Sequence, residues 1–108
     1  EGIGDHVGPP GIDVEAMTPD MTPPRLIHKV EPEFSEEARK AKFQGTVVLS
    51  IEVDQTGHTG TLQMVSSPGL GLDRKAIEAV LQWRFRPAMR NGKPVATSAR
   101  VELSFRLL

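Results

Sequence analysis

The candidates for acid–base or metal chemistry are His6, His28 and His58 and, among fourteen Asp and Glu, the carboxylates Glu52, Asp54 and Asp73. The histidines have no ligand spacing and fall in a linker, an approach segment and a hairpin, which argues against a metal site. The carboxylates are isolated, with no neighbouring base or nucleophile, and no serine-centred elbow motif is present, which argues against an enzyme. With no cysteine there is no thiol nucleophile, thiolate site or disulfide framework. The stretch PGLGLD before a helix lacks the Lys-Ser/Thr pair of a phosphate loop, and Asp73 puts negative charge where a phosphate would sit. No cofactor is called for. Arg84, Arg86, Arg90 and Lys93 form a basic run, but the net charge is −1 and the solvent face of the sheet offers Ser50, Glu52, Arg100, Glu102 and Ser104 rather than stacking aromatics, so nucleic acid is not expected.

The remaining chemistry is that of the backbone. From Ala99 to Leu107 every second residue is apolar (Ala99, Val101, Leu103, Phe105, Leu107), and the residues between are polar. This is a long strand with one buried face. It has no Pro or Gly to blunt an edge.

The elements that position this strand follow from local patterns. Residues 1–24 carry Gly2, Gly4, Gly8 and Gly11 with Pro9, Pro10, Pro19, Pro23 and Pro24, and read as a flexible linker. Ile3, Val7, Ile12 and Val14 are too sparse there for a core, although one or two could dock on the domain that spans 25–108. Pro32 keeps Glu31 extended. SEEARKAKF predicts a helix of about two turns capped by Ser35, with Phe34, Ala38 and Ala41 inward. TVVLSIEVD is a strand with Val47, Leu49, Ile51 and Val53 on one face, and Gly57 closes a hairpin to a second strand, TLQMVSS, in which Leu62 and Met64 are favoured inward. LDRKAIEAVLQW is a helix with Asp73 as N-cap, and Pro87 stops it near Trp83. Trp83 and Phe85 read as core. The third strand begins near Ala96.

This order predicts an α+β fold: a two-layer sandwich of a three-stranded antiparallel sheet, order 2-1-3, with two helices on one face. The third strand is then an edge whose free N–H and C=O groups can take an added strand. Four or five backbone bonds at about 0.5–1.5 kcal/mol each, offset by ordering, make such binding moderate and reversible. The competing readings are that the edge is tolerated, or is covered by residues 1–30.

The motifs EPEF, QGTVVLSIEVDQTG, LDRKAIEAVLQWRFRP, NGKPV and VELSF, in this joint spacing, resemble the C-terminal domain of TonB, the periplasmic energy transducer of Gram-negative bacteria. The likeness covers roughly residues 25–108. It implies a peptide-binding domain that pairs by β-augmentation with the TonB box of outer-membrane transporters. It also implies a parent protein anchored in the inner membrane by an N-terminal helix, working with ExbB and ExbD in nutrient uptake such as that of siderophores. The chain begins with Glu1 and is read as a piece of such a parent. The site expected is the backbone of Ala99, Arg100, Val101, Glu102, Leu103, Ser104 and Phe105, with Glu31 and Glu33 nearby. Phe34-Ser35 stands where family members often carry Tyr-Pro. The alternatives are a TolA-like interaction module, or a homodimer paired through the same edge.

Overall fold

Val47, Leu49, Ile51 and Val53 are buried, as are Ala99, Val101, Leu103 and Phe105. The two period-two patterns thus meet on one side of a sheet. The structure is a computed structural model that describes residues 5–7, 10–15 and 17–107. The expectations for Ile3, Gly2, Gly4, Gly8 and Pro9 lie outside the described residues. In chain order the elements are β1 (Asp5–Val7), β2 (Gly11–Glu15), β3 (Met21–Thr22), β4 (Arg25–His28), α1 (Glu36–Lys40), β5 (Gly45–Val53), β6 (Thr59–Ser66), α2 (Leu72–Val80), β7 (Arg84–Arg86), β8 (Ala88–Arg90), β9 (Lys93–Val95) and β10 (Thr97–Leu107).

The central trio runs β6-β5-β10, all antiparallel, which is the 2-1-3 order expected of the three long strands. β10 pairs with β5 from Thr97↔Val53 to Phe105↔Gly45. Leu62 and Met64 stand opposite Ile51 and Leu49 and so share the core face, but only Leu62 packs against the core, while Met64 is exposed. Ala38 of α1 and Leu72, Ala76 and Val80 of α2 close the core over β5 and β10, joined by Phe34, Trp83 and Phe85.

The expected edge position of the third strand is corrected. β2 pairs with the side of β10 away from β5, from Ser98↔Glu15 to Glu102↔Gly11, and β1 pairs from Phe105↔Val7 to Leu107↔Asp5. β10 is therefore an interior strand here. The physical reason lies in where the prolines fall. Pro9, Pro10 and Pro19 flank residues 11–15 without interrupting them, so this stretch can take ladder bonds. Its Ile12 packs against the core. The strand count also exceeds three, because β3-β8-β9 and β4-β7 form two small sheets.

The helices differ in detail. Ser35 caps α1, its hydroxyl accepting from Ala38 N–H at 3.2 Å and donating to the Leu70 carbonyl. α1 has five residues rather than two full turns, and Ala41 is exposed. The N-cap of α2 is Gly71, not Asp73, because the fully buried Leu72 already belongs to the helix. Asp73 sits in the first turn, where its charge complements the helix dipole. α2 stops at Val80, which lets Trp83 turn into the core, its indole Nε1–H donating to the Val30 carbonyl at 2.9 Å.

Candidate functional site

The alternation of β10 decides what its residues can offer. Ala99, Val101, Leu103 and Phe105 are committed to the core, while Arg100 and Glu102 are exposed on the opposite face and Ser104 is half-buried there. None of the inward side chains can reach a partner. What the strand can present is its main chain, on the side away from β5, and that side carries β2 and β1.

The β2 register defines how an extended chain sits there. Val14 lies opposite Ala99, Asp13 opposite Arg100 and Ile12 opposite Val101. Directly opposed residues of an antiparallel pair share a face. Ile12 and Val14 are half-buried on the core side, and Gly11, Asp13 and Glu15 are exposed. The signal for this strand was present in the sequence as the short alternation of Ile12 and Val14 with Asp13 and Glu15. It was outweighed by the surrounding Gly and Pro.

Glu31 and Glu33 are brought to a different place. With Pro32, Phe34, Glu36, Arg39 and Lys75 they line a groove of about 540 Å³ between the approach segment and the two helices. Glu33 pairs with Lys75 at 3.7 Å and Glu31 with Lys29 at 3.5 Å. Among the described residues, none of β10 lines this groove. The link to β10 runs through Phe34, whose ring meets Phe105 edge to face at 5.5 Å. The groove holds three carboxylates against two cations, so it suits a cationic or polar flank better than an anion.

Asp54 and His58 are tied into the turn between β5 and β6. The Asp54 carboxylate accepts from the Thr56 hydroxyl at 2.6 Å, Thr56 N–H at 2.9 Å and His58 N–H at 3.0 Å. The Thr56 hydroxyl first, and then the His58 N–H, hold its pKa below the ordinary value. His58 Nδ1 meets the Thr56 hydroxyl at 2.8 Å. Among the described residues no group of His, Asp and Glu could hold a metal ion. Arg90 faces Asp20 at 3.5 Å, so part of the basic run serves to hold the N-terminal segment. Among the described residues no helix is long and apolar enough to cross a membrane.

Comparison with known proteins gives the context for this geometry. Residues 30–107 match the model of the family described as Gram-negative bacterial TonB protein C-terminal. The TonB protein of Vibrio cholerae is 38% identical over 80 residues, covering 73% of this chain and 33% of that protein. The TonB protein of Xanthomonas campestris pv. campestris is 31% identical over 98 residues, 90% of this chain and 40% of that protein. This chain thus spans a third to two-fifths of the length of these curated relatives. The solution NMR structure of the Pseudomonas aeruginosa TonB CTD superposes with a TM-score of 0.64 at 26% identity, covering 82% of this chain and 88% of that one.

Proposed function

The chain belongs to the TonB family through its C-terminal domain, a family of transport energy transducers rather than enzymes, and on that premise we propose that it binds the TonB box of an outer-membrane transporter as an added strand beside β10. The backbone of residues 99–105 supplies the docking bonds, and Glu31 and Glu33 act on flanking residues of the peptide. The domain works in the periplasm. Its parent is held in the inner membrane by a helix upstream of this span and coupled to ExbB and ExbD. Proton-motive force reaches the transporter as a pull on the paired peptide, for uptake of nutrients such as siderophores.

The observation that carries this reading is the β2 pairing. The outer side of β10 already accepts an extended five-residue segment in regular antiparallel register. The mechanics also suit a pull. A peptide paired alongside β10 and drawn along its axis loads its backbone bonds together, in shear, instead of peeling them one by one. β10 is in turn held by nine paired residues of β5 and by the four buried apolar side chains of Ala99, Val101, Leu103 and Phe105.

The test is a titration of the isotopically labelled chain with N-terminal peptides of outer-membrane transporters, followed by backbone NMR. Amide shifts should concentrate on residues 97–107. Shifts confined to the outer side of β6 or to the helices would overturn the reading. Light scattering over a concentration series separates this outcome from pairing of two copies through the same strand.

A further inference from the structure

We infer that residues 11–15 are a built-in competitor for the partner peptide: a strap that occupies the β10 docking side in cis and has to leave before the transporter segment can pair. This rests on the β10 docking reading above and adds its regulation and the side-chain pattern that the site reads.

Three observations lead there. The first is location. β2 covers Ser98 to Glu102, the centre of the docking strand, in five residue pairs, whereas β5 holds the other side of β10 with nine. β2 is thus the weaker neighbour and the one that can be exchanged. The second is the tether. Just beyond β2, Met21 and Thr22 pair with Arg90 and Met89, and Asp20 faces Arg90 at 3.5 Å. Residues 16–19 alone connect this anchor to β2, so the strap stays near the edge when released and returns as a unimolecular step, at a high effective concentration. The third is the pattern. β2 places branched aliphatics opposite Ala99 and Val101 and a carboxylate opposite Arg100. At Gly11 an added Cβ would meet Glu102 Cβ at 3.7 Å, an ordinary contact, so a side chain fits there as well. The occupant that displaces the strap is therefore an extended peptide that alternates branched aliphatic and acidic residues in this register.

The consequence is a conformational toll on binding. A strap that occupies the edge nine parts in ten weakens a competing peptide about tenfold, since the apparent affinity scales with the open fraction. Releasing the strap restores the intrinsic affinity without any change in the docking strand itself.

The experiment uses the 108-residue chain and a synthetic peptide with the sequence PGIDVE, that of residues 10–15, as the probe. It is titrated into the unchanged chain and into Ile12→Asp/Val14→Asp, with binding read from amide shifts of residues 98–102. The double variant should bind about tenfold more tightly. A peptide carrying Asp13→Lys should bind less well, and Arg100→Glu in the chain should reverse that preference. Asp13→Pro, at an exposed strap position, provides a second release variant should the first disturb the α2 amides. Equal affinity in the unchanged and released chains, with shifts on residues 98–102 in both, would overturn the competitor and leave β10 docking standing. No shift on those residues in any chain would overturn the docking reading itself.

Discussion

Replacing Gly57 by alanine should cost far more stability than the same change at Gly92, although both glycines sit in tight turns with positive φ, 85° and 78°. A left-handed conformation costs an L-residue about 1–2 kcal/mol, and both variants carry that penalty. Around Gly92 there is nothing within 4 Å of an added Cβ, so no further cost arises. At Gly57 the Cβ would fall 2.0 Å from the Phe85 carbonyl oxygen, which is backbone and cannot swing aside. The turn or β7 has to move. That movement breaks the bond from Phe85 N–H to the Gly57 carbonyl, 2.7 Å long, beside a buried ring. Leaving a buried donor without a partner costs about 1–3 kcal/mol. Gly57→Ala should therefore lose about 2–5 kcal/mol and Gly92→Ala about 1–2 kcal/mol. Urea unfolding of the two variants against the unchanged chain measures the difference, with equal m-values as the check that only stability moved. The site depends on this contact, because β7 pairs with β4 and so holds the segment that leads into the Glu31–Glu33 groove. Two variants that agree within about 0.5 kcal/mol, the usual margin for independent surface changes, would refute the claim that this turn is braced against β7.

Trp83→Phe removes the donor to the Val30 carbonyl and should lower stability by about 1–3 kcal/mol, with faster hydrogen exchange over residues 30–34 as the local sign. Phe105→Ala opens a cavity against Phe34 and should cost about 3–5 kcal/mol by the same urea assay. Asp54 has a lowered folded-state pKa, so its contribution is present above the ordinary value of 3.8 and is lost as pH falls through the lower folded value. Urea midpoints measured at falling pH should therefore drop more steeply in the unchanged chain than in Asp54→Asn across that acid window.

How much could be read ahead of the structure depended on how local the cause was. The alternations at Val47–Val53 and Ala99–Phe105 state which face is buried, because period two leaves no other way to hide four apolar side chains in a row. The Ser35 cap and the polar and apolar faces of α2 are equally local. From these the β6-β5-β10 order follows through the handedness of the crossover. The short strands β7, β8 and β9 have three residues each, too few for a period to register. α2 ends at Val80 rather than near Trp83, because Trp83 satisfies the helical apolar stripe yet reaches the core only after the chain has left the helix.

The sequence by itself settled the character of β10: a long strand, apolar on one face, whose useful groups are its main-chain donors and acceptors. Tertiary structure alone decided what lies beside it. A row of backbone donors and acceptors has no sequence specificity of its own, so the pattern along β10 does not say which extended stretch will pair with it. Here the segment from Gly11 to Glu15 does so, held close by the pairing of Met21 and Thr22 with β8. That choice depends on a tether and on proximity in space, neither of which is written in the spacing of residues along the chain.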